Sequence, residues 1–185
     1  MTINYKTDHR GRITNKPFGS RIKRALGLPK GVGFCIPVPG HVLLSAAWMG
    51  LPLSARRVLD AIMSDHAQHG GQMNGELLAP YTQLQARGVR RSSIKEALVI
   101  LEAVGLIKAD RDTRSGAVKR ATMYRLTWLG TPDGLTATND WKAIKTEEEA
   151  DARINNALDE LNKNRVAQRK RRATRGQSET ISTAA

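Results

Sequence analysis

Aromatic residues make up only 4% of the 185 positions, so a core has to be assembled mainly from Leu, Ile, Val and Ala. There is one cysteine, Cys35, which excludes an internal disulfide and a thiolate-pair zinc site. Beside Phe34 and Ile36, that thiol reads as a small core side chain. Long apolar runs are missing as well. The longest, residues 42–53, is broken by Gly50 and Pro52 and falls short of the roughly 20 residues that span a bilayer. The first 12 residues are polar and lack the apolar segment of a secretory signal. These absences lead to the expectation of a cytoplasmic protein with no membrane partner.

Acids are scarce too, with 17 Asp and Glu against 30 Lys and Arg, for a formal net charge of +13. An excess of that sign and size selects polyanions as partners, nucleic acid first, and implies association with the nucleoid.

The bases are unevenly placed. Residues 1–33 carry eight of them against a single acid, Asp8, with five glycines and little apolar periodicity. They read as a basic, mostly disordered arm, with one helical turn around residues 20–28. Residues 34–129 hold the apolar periodicity expected of a folded domain. Residues 34–38 read as extended and residues 42–49 as a short apolar helix. Val58, Leu59, Ile62 and Met63 recur at helical spacing after Ser54, and Gly70-Gly71 ends that helix. Residues 76–79 read as a short strand and residues 80–86 as a second helix opened by Pro80. Ile94, Ala97, Leu98, Leu101 and Val104 form one stripe of a third helix, stopped by Gly105. Residues 106–111 and 122–129 read as two strands joined through Ser115-Gly116, with Tyr124, Leu126 and Trp128 alternating against Arg125 and Thr127. Trp48, Trp128 and Trp141 read as core anchors.

Residues 130–145 read as a linker. Thr146 and Glu149 have capping-box spacing for a last helix, residues 146–175, with Glu147, Glu148 and Asp151 near its positive end. Its apolar face is thin: Ile154, Ala157, Leu158 and Leu161. That face suits either docking on the domain or pairing with a second copy as a homodimer. The helix then turns basic, with Arg165, Arg169, Lys170, Arg171, Arg172 and Arg175. Residues 176–185 read as a disordered tail.

Helix, short strand, helix, tight turn, helix and two-stranded ribbon is the winged helix-turn-helix order. The stretch Tyr81-x-x-Leu84, Gly88-Val89-Arg90-Arg91-Ser92-Ser93-Ile94, Ala97-Leu98, Leu101-Glu102 and Gly105-Leu106-Ile107 resembles the helix-turn-helix of bacterial winged-helix regulators and plasmid replication initiators. More broadly, residues 34–144 are similar to winged-helix proteins of alphaproteobacteria and their mobile elements. The landmarks are Ala47-Trp48, Leu53-Ser54-Ala55-Arg56-Arg57-Val58-Leu59, His69-Gly70-Gly71, Asn74-Gly75 and Tyr124-Arg125-Leu126-Thr127-Trp128-Leu129. The resemblance implies an α+β, mainly α fold, a winged helix-turn-helix with a basic N-terminal arm and a C-terminal helical extension. Arg90 departs from the Ser or Asp common in that position, so the third helix lacks its usual N-cap.

A recognition helix needs one packed face and one polar face for the major groove. With the apolar stripe inward, Arg91, Ser92, Lys95, Glu96 and Val99 point outward. Arg90, Arg91, Ser92, Ser93 and Lys95 are therefore the candidate base- and phosphate-contacting residues, since Arg forks onto guanine and hydroxyls reach phosphate. Arg111, Arg114, Lys119 and Arg120 gather at the ribbon tip, suited to backbone or minor groove. Arg169, Lys170, Arg171 and Arg172 add sequence-independent grip.

Nothing points to catalysis or a cofactor. Asp65, His66 and His69 sit at a helix end, where the dipole accounts for the histidines without a metal. Gly31-x-Gly33 lacks the phosphate-loop context, and the acids of residues 147–151 are explained by capping. The expectation is a non-enzymatic protein that binds double-stranded DNA sequence-selectively as a transcriptional regulator. The alternatives are a replication or partition accessory protein of a plasmid, phage or integrated element, and a nucleoid-coating or RNA-binding protein without base readout.

Overall fold

The computed structural model describes residues 36, 38–111 and 121–183, with side chains through residue 171. It is mainly helical, with a small antiparallel sheet. Two one-turn helices, α1 (Gly40–Leu43) and α2 (Ala46–Met49), precede the long α3 (Leu53–Gln68). They are followed by α4 (Tyr81–Ala86), α5 (Arg91–Ala103), strands β1 (Ile107–Asp110) and β2 (Met123–Leu126), a 3-10 turn (Asp140–Ala143) and α6 (Glu147–Thr183). No helix among the described residues is long and apolar enough to cross a membrane.

The core is aliphatic, as the lack of aromatics required. Val58, Leu59 and Ile62 of α3 meet Ile94, Leu98 and Leu101 of α5, with Leu84, Val89, Leu106 and Leu126 closing the ends. Each such side chain contributes about 1.5–3 kcal/mol on burial. Trp128 and Trp141 are buried with them, and Trp48 packs edge-to-face on Trp128 at 6.2 Å between centroids.

Strands β1 and β2 pair with Ile107 opposite Leu126 and Asp110 opposite Met123. Residues 76–79 do not make a full third strand. Leu77 alone bridges Tyr124, its N–H donating at 3.2 Å and its carbonyl accepting at 2.8 Å. Pro80, which has no N–H to give, ends the pairing and opens α4. The residues 42–49 helix is split in two at Ser45, whose hydroxyl caps α2.

Two expectations about the second half need correction. Residues 130–145 are not a free linker, because Trp141 and Ile144 are buried in the core. The helix after Thr146 continues to Thr183, past residue 175, where the sequence reading ended it. Its start is as expected: the Thr146 hydroxyl accepts the Glu149 N–H at 3.3 Å, and the Glu149 carboxylate accepts the Lys145 N–H at 2.8 Å. The apolar face of α6 docks inside the chain. Ala150, Ile154 and Leu161 are buried and Leu158 half-buried, against α5 and α2. The stripe is thus covered within the chain.

Candidate nucleic-acid interface

Helices α4 and α5 are joined by a turn that the sequence specifies locally. Gly88 takes φ +79°, its N–H donates to the Gln85 carbonyl at 2.9 Å, and the Val89 N–H donates to the Leu84 carbonyl at 3.1 Å. That is a Schellman ending, with Leu84 and Val89 as its buried apolar pair. Arg57 of α3 braces it from below, Nη1 donating to the Gly88 carbonyl at 2.9 Å. Arg87 is tied to Ser64 at 2.9 Å. The turn therefore has a fixed position on α3, and it sets where α5 begins.

Arg90 occupies the N-cap of α5 in extended conformation and supplies no side-chain cap. The amides of the first turn are left with the positive end of the helix dipole, an arrangement that favours an anion. Arg90, Arg91, Ser92 and Lys95 are exposed at this end, and Ser93 is half-buried. Arg91 lies 5.9 Å from the centre of the Tyr81 ring, which limits its wandering. The opposite stripe, Ile94, Ala97, Leu98 and Leu101, is buried as the periodicity required. Glu96 does not point freely outward. Its carboxylate accepts from Arg165 Nη1 of α6 at 2.7 Å.

The ribbon stands beside this end of α5. Arg111 is exposed, but its guanidinium is engaged by the Glu102 carboxylate, which also accepts the Ala109 N–H at 3.2 Å. The hydrogen bond to Glu102, helped by the smaller Coulomb attraction between the two, raises the Arg111 pKa above its ordinary value. Arg114, Lys119 and Arg120, with the Ser115-Gly116 turn, lie outside the described residues, as do residues 1–35 with Cys35. A groove of about 420 Å³ runs between α5 and the ribbon, and Tyr81, Lys95, Arg111 and Thr122 line it together. The geometry thus brings one candidate from α5 and one from the ribbon to a common surface.

Arg169, Lys170 and Arg171 are exposed on α6, and Arg172 continues the same helix beyond the last described side chain. Three features escaped the sequence reading: Tyr81 under Arg91, the Glu96–Arg165 pair, and Lys108 opposite Arg125 across the ribbon, a pair that lines a groove with Asn74 rather than the one beside α5. Only the last had a local signal, the period-2 alternation. The others depend on helix packing.

Of the residues weighed for a metal, Asp65 and His69 are hydrogen-bonded, and His66 Nδ1 is buried without a hydrogen-bond partner among the described residues. His69 Nδ1 lies 2.8 Å from the Asp65 carbonyl, and the Asp65 carboxylate accepts the Leu78 N–H at 3.3 Å. His66 is buried, and that burial, with His69 nearby, pushes its pKa down to about 4. No cluster of three metal-ligating side chains is gathered among the described residues. Comparison with family models, with curated proteins and with solved structures gave no match for this chain.

Proposed function

We propose that this chain is a winged helix-turn-helix protein that binds double-stranded DNA sequence-selectively and acts as a transcriptional regulator. One observation carries the reading. The braced α4–turn–α5 unit presents Arg90, Arg91, Ser92 and Lys95 at an uncapped helix N-terminus, beside a two-stranded ribbon. In this reading α5 enters the major groove N-terminus first. Arg91 forks onto guanine O6 and N7, Lys95 takes guanine or phosphate, and Ser92 and Ser93 offer hydroxyls to phosphate. The ribbon follows the adjoining backbone, with Arg111 held by Glu102, and Arg114, Lys119 and Arg120, between β1 and β2 in the sequence, add phosphate contacts. The net charge of +13 supports a polyanion partner without choosing a sequence.

Genome-wide occupancy mapping of the full chain tests it. A small set of sites upstream of genes is the expected result. Uniform, sequence-blind coverage would leave DNA coating instead, and no enrichment at all would remove DNA as the partner.

A further inference from the structure

Helix α6 changes sign halfway along. Residues 147–160 hold six acids and one base, Arg153. Residues 161–178 hold seven bases and no acid. The change falls where the helix leaves the body. Ile154 and Leu161 are buried against the fold, Arg165 reaches Glu96, and every side chain from 166 to 171 is exposed.

The direction of the helix follows from two contacts. Gly105, just past the end of α5, abuts the backbone of Asp140 and Trp141, just ahead of α6. Arg165 pairs with Glu96, near the beginning of α5. Helix α6 therefore runs back along α5 toward its N-terminus. From Glu96 to Arg91 is about 7.5 Å of helix, and α6 matches that rise by residue 170. Arg169 and Arg171 thus stand level with the end of α5 that carries Arg90 and Arg91. The helix continues for about another 18 Å beyond them.

We infer that the basic half of α6 is a rigid arm that lies on DNA phosphates beside the N-terminus of α5, and that Arg165 is the positioning residue that fixes it there through Glu96. The inference rests on the duplex-binding reading above. The chemistry of the arm selects the occupant. A second copy would need an apolar seam, yet the exposed face of Asp159, Asn162, Lys163, Val166, Ala167 and Lys170 has only two apolar members. Two such arms side by side would also repel. A phosphate backbone offers the matching charge at regular spacing. Pairing with Arg165 has a second consequence: it neutralises the acid on α5 that would otherwise face those phosphates.

The test uses the full chain, a mixed-sequence duplex of about 30 bp, and anisotropy over a salt series of roughly 50–200 mM. The double variant R169A/R171A should lower the salt slope by about one to two, with unchanged thermal unfolding. R165A should weaken binding roughly twofold to fivefold, the scale of a partly exposed ion pair. E96Q in the R165A background should cause no further loss, because the pair is already broken, and R165K alone should keep the loss small. An unchanged slope in R169A/R171A would take the arm off the DNA. Strict additivity of R165A and E96Q would remove the positioning role. Light scattering that shows a dimer dissociating in R169A/R171A would give the arm to a second copy and overturn the inference. No duplex binding by the unsubstituted chain at any salt would instead overturn the DNA reading itself.

Discussion

The Arg57 guanidinium, on α3, donates to the carbonyl of Gly88 in the turn between α4 and α5, at 2.9 Å across 31 positions of sequence. The same guanidinium would lie 3.2 Å from a Cβ placed on Gly88, whose φ of +79° already disfavours any side chain. Gly88→Ala therefore combines backbone strain with displacement of the brace and should cost about 2–3 kcal/mol. Arg57→Ala loses one charge-assisted hydrogen bond and should cost about 1 kcal/mol. Urea denaturation of both variants checks this. Equal midpoints for Gly88→Ala and the parent would show that the turn tolerates another conformation.

Gly105 makes a sharper case. A Cβ there would stand 2.7 Å from the backbone of Asp140 and Trp141, which cannot swing aside as a side chain can. Gly134 has a similar positive φ, +90°, with nothing within 4 Å. Gly134→Ala should cost about 1–2 kcal/mol from φ alone, and Gly105→Ala clearly more. Comparable unfolding midpoints for the two would mean that the segment 140–144 is not held against α5.

These glycines also mark what was legible in the sequence. Gly70, Gly88 and Gly105 were readable as stops because a helix ending needs a left-handed residue just past it. The inward stripe of α5 was readable because its period is that of a helix. Trp141 was readable as a core anchor and is buried, but its backbone contact with Gly105 and the pairing of Arg165 with Glu96 were not, since each depends on the chain returning across the domain. Asn74 shows the same limit. It stood out only beside Gly75 in a resemblance. In the fold its buried amide donates to the carbonyls of Leu126, Leu129 and Gly130 at 3.0 Å and accepts the Leu126 N–H at 2.6 Å, more than 50 residues away.

That concentration of bonds makes Asn74 a strong stability determinant. Asn74→Asp keeps the shape but gives up the amide donor, leaving a buried carboxylate facing three carbonyl oxygens. A loss of about 3 kcal/mol or more is expected, exceeding that of Asn74→Ala. Calorimetry on the two variants should rank them in that order. The reverse order would mean that water reaches the site.

Acid should destabilise the fold through His66. Its buried imidazole stays neutral in the folded chain down to about pH 4. The unfolded chain takes up the proton below about 6.5, so folding loses about 1.4 kcal/mol per unit as pH falls between those values, about 3 kcal/mol in all. Above pH 6.5 this contribution is flat. His66→Gln, which cannot titrate, should remove that slope while setting its own baseline. Parallel melting-temperature curves from pH 7 to about 4.5 for the parent and the variant would rule His66 out.

Arg91 is where affinity and specificity should separate. It is exposed at the start of α5, and its guanidinium carbon lies over the Tyr81 ring, 5.9 Å from the ring centre. A forked contact to guanine adds about 1–3 kcal/mol of discrimination, whereas a phosphate contact is blind to sequence. Arg91→Ala should therefore weaken binding to a mapped site by roughly 5- to 150-fold and to random duplex by much less. Arg91→Lys keeps the charge but loses the fork, so it should retain random-duplex affinity and forfeit most of the discrimination. Tyr81→Ala should produce a smaller version of the Arg91→Ala effect, because the guanidinium then has to be ordered by the DNA alone. Titrations on both duplexes at one fixed salt concentration decide the matter. Equal losses on the two duplexes would place Arg91 on phosphate and move base readout to Arg90 or Lys95.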